Sequence, residues 1–377
     1  MQNSHFPPFL HAFASTALAL VLFAVPTVLA QSAAPKTSRT PIGKPVELKA
    51  PLGLPPVPIP VDNPLTEETI ALGRRLYYDP ALSVDSTISC ASCHAPQFSF
   101  SDNRPVSEGV GGKKGTRHAP TVINSAYSSL QFWDGRAASL EEQAKGPMEN
   151  PVEMAHSLDG VVKRVQADPK YRELFLKAWG TEQIDIDMIA KSIASFERTV
   201  IAGNSPFDRF YYGHDSKAMS LEAQRGLRLF VSPKKGNCAV CHSISNESSL
   251  LTDNKFHNLG IGADTRGNLN DEGRYKITKN DADMGAFKTP TLRNLTNRGP
   301  YMHDGSFPTV KDALGHYVGG GNWNSHLDKE IHSLDILTFD ERDELLQFLD
   351  ALNGTLPDNI GPPADLATPV KVTAANQ

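Results

Sequence analysis

The residues with the most chemical content in this 377-residue chain are its four cysteines. They fall into two pairs, Cys90-Ala-Ser-Cys93-His94 and Cys238-Ala-Val-Cys241-His242. Cys-x-x-Cys by itself also serves zinc binding and thiol–disulfide exchange. The immediate His in both copies, with no cysteine left over, selects the attachment pattern of a c-type haem. In that pattern two thiols add across the haem vinyl groups and the His supplies the proximal iron ligand. The expectation is two covalent haems c, anchored by Cys90, Cys93, Cys238 and Cys241 and ligated by His94 and His242.

The elements that must position these residues can be read from pattern. A helix should begin at Thr66-Glu67-Glu68-Thr69, pass Leu72 and Leu76, and stop before Pro80. Gly73-Arg-Arg-Leu76-Tyr77 before the first motif and Gly226-Leu-Arg-Leu229-Phe230 before the second mark an internal repeat: helix, haem loop, ligand loop, closing helix. Ser157–Ala167, Lys170–Trp179 and Asp185–Ile201 carry apolar residues at helical spacing, and Thr309–Val318 and Phe339–Leu352 close the chain as helices. Asn258–Asp283, rich in Gly, Asn and Asp, reads as loop. Strand patterns are weak, so the fold class is mainly α: two cytochrome c-like domains, each with one covalent c-type haem. The boundaries are 1–30 signal peptide, 31–64 Pro-rich linker or tail, 65–205 first domain, 206–355 second domain and 356–377 tail.

The signal-peptide reading rests on the apolar run Phe13–Ala30, which ends in the small-residue pattern Val28-Leu29-Ala30. The run contains Pro26 and is short for a membrane span, so a cleaved leader and a periplasmic mature protein without a span are expected. The net charge of −5 and the lack of a basic cluster argue against nucleic acid as a partner.

Three groups of residues then carry a resemblance. They are Lys114-Gly-Thr-Arg117-His118-Ala-Pro120-Thr121, Gln131-Phe-Trp133-Asp-Gly-Arg136 with Glu141-Glu-Gln143 and Pro151-Val-Glu153-Met154, and Thr289-Pro-Thr-Leu-Arg293-Asn294 with Pro300-Tyr-Met302-His303-Asp-Gly305. From about Leu65 to Leu352 the chain resembles the bacterial di-haem cytochrome c peroxidases, a family with a MauG-like branch that oxidises protein side chains. The resemblance implies that hydrogen peroxide is reduced at the haem of His94. It gives Glu153 the acid–base role, Gln143 the orienting of peroxide or water, and Trp133 the relay of charge between haems. A carboxylate suits the first task, because it can take a proton from one peroxide oxygen and deliver it to the other.

Departures from the family pattern shift the expectation. In cytochrome c peroxidases that need reductive activation, a His in the loop here reading Glu108-Gly-Val110-Gly-Gly-Lys113 closes the peroxidatic iron; Val110 stands in its place. His118 is a nearby rival ligand, though an interior His held by hydrogen bonds is the better reading of it. At the second haem the family's distal Met aligns with Tyr317, as in the MauG-like branch, with Met302 as second choice and His316 behind. A phenolate favours ferric and higher states, whereas a thioether favours ferrous iron. The resemblance also implies a calcium ion between the domains, held by an Asn side chain and the carbonyls of Arg298 and Pro300. That Asn is His118 here, a poor ligand for a cation that prefers oxygen. The favoured reading is a periplasmic di-haem peroxidase that oxidises a partner protein. The alternatives are a detoxifying cytochrome c peroxidase fed by a small cytochrome or cupredoxin, a di-haem electron carrier with both irons closed and, last, a haem sensor.

Overall fold

The computed structural model describes residues 39–366. The expected signal peptide and the last part of the tail lie outside the described residues. Ten α-helices and one two-stranded antiparallel sheet are formed among them, so the chain is mainly helical.

α1 (Glu67–Tyr78) starts on Thr66, whose hydroxyl accepts the Thr69 N–H while Thr69 returns the bond to the Thr66 N–H. α2 (Leu140–Glu149) is a helix that the sequence offered only as a motif. Ser139 caps it, and Pro147 inside it withholds an N–H and frees the last turn to fold back on itself. α3 (Leu158–Ala167) and α4 (Pro169–Trp179) fall where periodicity placed them. α5 (Ile186–Glu197) ends before the expected Ile201, because Thr199-Val200-Ile201 is a β-branched run that favours extended backbone. α6 (Pro206–Tyr211) is short and was not expected, and α7 (Leu221–Val231) leads into the second Cys-x-x-Cys-His. β1 (Phe256–His257) pairs with β2 (Phe287–Lys288), and the loop between them holds the single-turn α8 (Tyr275–Thr278). α9 (Val310–Val318) and α10 (Phe339–Asp350) complete the chain.

The internal repeat is visible atom by atom. α1 crosses α5 at Gly73, where a β-carbon would overlap the Ser192 carbonyl; α7 crosses α10 at Gly226, where one would overlap the Glu344 carbonyl. Asn124 and Asn294 both adopt left-handed backbone, with φ of 61° and 53°. Each exchanges side-chain hydrogen bonds with the chain beyond its closing helix, Asn124 with Ala202 and Asn294 with Gly354. The bulged turns Gln131–Ala137 and Tyr301–Phe307 match as well, with positive φ at Phe132 and Gly135 in one and at Met302 and Gly305 in the other.

Two apolar cores follow this repeat. One gathers residues between Leu72 and Ala202, including Tyr77, Phe100, Phe175 and Phe196; the other gathers residues between Phe207 and Leu352, including Phe230 and Phe348. Residues 39–64 form no helix or strand, yet they are packed rather than free: Leu54 is buried with Tyr127 and Ile201 in a third, smaller cluster. After α10 the chain returns to the first core, where Ile360 is buried and its carbonyl accepts from Tyr78.

Candidate active site

Each Cys-x-x-Cys-His motif begins as a single 3-10 turn, and in each the His N–H donates to the carbonyl of the first Cys, at 3.0 Å for His94 and 2.9 Å for His242. This tight turn brings the two thiols and the imidazole together. Burial pushes the Cys90 thiol well up, Cys93 to about 11 and Cys238 to about 12. Thiols that stay protonated at neutral pH are poor attackers, which counts against thiol–disulfide exchange.

The second site is a cavity of about 290 Å³. Cys238, Cys241, His242, Tyr317, Met302 and Trp133 all line it. The Nδ1 of His242 faces the Leu251 carbonyl at 2.9 Å. A carbonyl only accepts, so Nδ1 carries the proton and Nε2 keeps its lone pair. Burial holds this imidazole down to about 4, so it is neutral and fit to ligate. Tyr317, on α9, is half-buried and lines the cavity, and desolvation there raises its phenol strongly. His316 is committed elsewhere, its Nε2 lying 2.8 Å from the Leu259 carbonyl. Met302 is held in left-handed backbone with φ of 70°.

A cluster of Cys241, Asp253 and His257 has the donor types of a metal site. His257, however, faces carboxylates with both ring nitrogens, Asp328 at 2.5 Å and Asp253 at 2.9 Å. Contact with the Cys241 sulfur, together with Asp328 and Asp253, pushes it up to about 10. An imidazolium offers a metal no lone pair until it gives up its proton, so as it stands the cluster is an ion-paired unit rather than an open ligand set.

At the first site, Tyr77 on α1 donates to the His94 carbonyl at 2.8 Å, and the buried His94 Nδ1 has no hydrogen-bond partner. Burial lowers His94 from its ordinary value. Glu153 lies in the turn that folds back after α2, where Asn150 Nδ2 donates to its carboxylate at 2.6 Å. Burial raises its carboxyl above the usual range, opposed by the Arg136 charge and the Asn150 bond. Val110 is 5% exposed, and its N–H donates to the Glu153 carbonyl at 2.8 Å. Gly109 beside it touches the Val152 and Glu153 backbone so closely that a β-carbon has no room. The loop carrying Val110 is thereby pinned to the residue expected to handle the proton. Gln143 is half-buried on the same helix, α2.

Trp133 reaches the second cavity while its turn stays tied to the first site. Its indole N–H donates to the His118 carbonyl at 2.8 Å, and its own carbonyl accepts the Lys288 N–H at 2.8 Å. Arg136, three residues on, stacks 3.4 Å over Phe132, which touches α2 near Gly146. His118 is an interior side chain: Nδ1 lies 3.0 Å from the Arg104 carbonyl and Nε2 3.1 Å from Ser101 Oγ. Both ring nitrogens are taken, so neither iron nor calcium is offered a free one.

Sequence reasoning missed two contributors. Arg117 pairs with Asp134 at 2.6 Å and with Asp271 at 2.7 Å, joining the two halves beside Trp133. Its place in the Lys-Gly-x-Arg motif was the available signal. His303 is buried, stacks on Phe287 with centroids 3.6 Å apart, and accepts the His118 N–H on its carbonyl at 2.7 Å.

A helical fold with two Cys-x-x-Cys-His turns, one opening on a shared apolar cavity, has the layout expected of a two-centre c-type cytochrome. Comparison with known proteins refines this. Residues 67–216 match the family model described as "Di-haem cytochrome c peroxidase". The chain is 40% identical over 297 residues to a "Methylamine utilization protein MauG" of Methylorubrum extorquens, covering 78% of this chain and 81% of that one. It is 39% identical over 305 residues to "Cytochrome c peroxidase Ccp" of Escherichia coli, covering 79% of this chain and 60% of that longer protein. A solved structure described as a MauG-like protein associated with microbial copper homeostasis superposes with a TM-score of 0.73 at 32% identity, covering 85% of this chain and 97% of that one. The chain therefore belongs to the di-haem cytochrome c peroxidase family, whose name implies haem as cofactor.

Proposed function

We propose that this chain is a periplasmic peroxidase that reduces hydrogen peroxide to two waters at the centre built on Cys90, Cys93 and His94, with the second centre, on Cys238, Cys241 and His242, feeding it electrons. The donor is a protein that docks outside, and the chemistry is MauG-like: the donor's own side chain is oxidised. Haem, when bound, supplies the redox-active iron. The protein's part is to hold and move protons and to choose what reaches each iron. Glu153, made more basic by burial, takes the proton from one peroxide oxygen and returns it to the other. Gln143 positions the peroxide, and Trp133, lining the second cavity, carries charge between centres.

The observation that carries the MauG-like reading is Val110. An apolar side chain with no ligating atom is buried against Glu153, and the nearest rival, His118, has both nitrogens engaged. Tyr317 in the second cavity supports the same branch. The apolar run Phe13–Ala30 supports export.

Electron paramagnetic resonance and optical spectra of the resting oxidised protein test this. One high-spin and one low-spin haem, with a spectral change on adding peroxide without reductant, are expected. Two low-spin haems, inert to peroxide until one electron is added, would replace this reading with an activated cytochrome c peroxidase. Inertness after reduction as well would leave an electron carrier.

A further inference from the structure

The cavity at the second centre carries positive charge that the surrounding protein does not neutralise. Arg298 is 7% exposed, lines the cavity, and donates to the Thr291 carbonyl. Lys288, on β2, lines it too, and its Nζ donates to Ser128 Oγ and the Leu130 carbonyl, both at 3.0 Å. Among the described residues neither has a carboxylate in ion-pair range, and every side-chain bond they make ends on a neutral oxygen. Among the described residues the other buried arginines are matched, Arg293 with Asp208 and Arg198 with Glu141, as is the half-buried Arg117 with Asp134 and Asp271. Burial lowers Lys288 to about 8 and Arg298 to about 10, which is the cost of a cation kept from water without a counter-ion.

Glu330 is the carboxylate on the lining and forms no ion pair with either, so two unmatched cations on one cavity call for anionic groups from outside the polypeptide. A haem carries two propionate carboxylates, and this cavity also holds Cys238, Cys241 and His242. We infer that Arg298 and Lys288 are the counter-charges for the propionates of the haem anchored at the second motif. The inference rests on the haem reading above and adds residues to it.

The test is potentiometric titration of the full-length holoprotein, comparing wild type with Arg298→Gln and Lys288→Gln and with the charge-keeping Arg298→Lys and Lys288→Arg. Mass spectrometry first establishes covalent haem at both motifs. A protein that carries none there sinks the haem reading itself, separately from this inference. With haem in place, each Gln variant should disfavour reduction of the second centre roughly tenfold, 59 mV for a one-electron couple, and leave the first centre unmoved. The charge-keeping variants should recover most of the shift. Unchanged potentials in both Gln variants would overturn the inference. So would a wild-type potential that follows added inorganic phosphate, since the cations would then serve a free anion. Redox-difference infrared spectra of wild type need no variant to fold: with carbon-13 in the haem propionates, isotope-shifted ionised carboxylate bands are expected, and an isotope-shifted protonated carboxylic acid band would overturn the assignment.

Discussion

Glu153 and Glu197 are both carboxyls raised by burial, with opposite consequences. Glu153 keeps a donor, Asn150, on one oxygen and feels the Arg136 charge, so it can lose its proton at a useful pH. Glu153→Gln removes the proton carrier while keeping shape, so peroxide turnover should fall by roughly 10²–10⁴ with haem content unchanged. The wild-type rate should climb with pH through a midpoint above the ordinary carboxylate range, and that limb should vanish in the variant; stopped-flow pH profiles would reveal both. Glu197 lies in the first core on α5, with Oε2 unpartnered, and burial raises it to about 8. The folded state holds this proton between the unfolded value of 4.5 and about 8, where the unfolded chain has released it. Stability therefore falls as pH rises across that window, by on the order of a few kcal/mol. Glu197→Gln should flatten the fall and raise the melting temperature at pH 8 more than at pH 5; equal shifts at both would refute the buried-proton account. Cysteine and histidine spacing made the anchors and proximal ligands legible as candidates, because local covalent geometry fixes that motif. Glu197, Arg298 and Lys288 were not legible, because an unmatched charge is a property of surroundings assembled from distant segments.

At the scale of elements, the repeated glycines carry the argument. Gly73 and Gly226 let paired helices approach until backbone meets backbone, and each crossing lies next to its Cys-x-x-Cys-His turn. Gly226→Ala must push α10 away from α7, and overpacking of this kind costs about 1–3 kcal/mol, with Gly73→Ala doing the same to α1 and α5. The expected outcome is a lower melting temperature and a smaller yield of covalent haem at the neighbouring motif only, read by mass spectrometry of proteolytic fragments. An even loss at both motifs would mean the crossing is not what shapes its own haem loop. The glycines stood out in the sequence because Gly-x-Arg-Leu-aromatic occurs before both haem motifs. Helices with a capped start and a clean apolar stripe, α1, α3, α4 and α9, were equally plain. α2 was hidden because Gly146 and Pro147 break its pattern, and tertiary contacts with the Glu153 turn supply what local propensity lacks. The end of α5 was overrun because the apolar spacing continues past Glu197 into a run whose branching ends the helix.

At the scale of the whole molecule, two repeats with separate cores need something to make them one body. That role falls to Arg293, which is fully buried with its partner Asp208. Nη1 and Nη2 bond the Asp208 carboxylate at 2.8 and 2.9 Å, Nε reaches the Ser249 carbonyl at 2.8 Å, and Nη2 also reaches the Gly53 carbonyl at 2.9 Å. Asp208 also accepts the Ser205 N–H and hydroxyl, both at 2.8 Å. The node thus ties the Pro-rich arm, α6 and the loop after the second haem motif, and the arm in turn meets Tyr127 of the first half through the Pro55 carbonyl. Removing one charge leaves the other buried without compensation, which costs about 3–5 kcal/mol. Asp208→Asn keeps the shape but loses the charge and turns one acceptor oxygen into a donor facing donors, so calorimetry should show a melting temperature lower by roughly 5–10 °C. Because the arm bridges both cores, the single transition should also broaden or divide, with the Soret change of the second haem arriving first. Replacing both partners, Asp208→Leu with Arg293→Met, should return part of the loss, since no stranded charge remains. A double variant as unstable as Asp208→Asn would show that the hydrogen bonds to Gly53 and Ser249, and not the ion pair, join the halves.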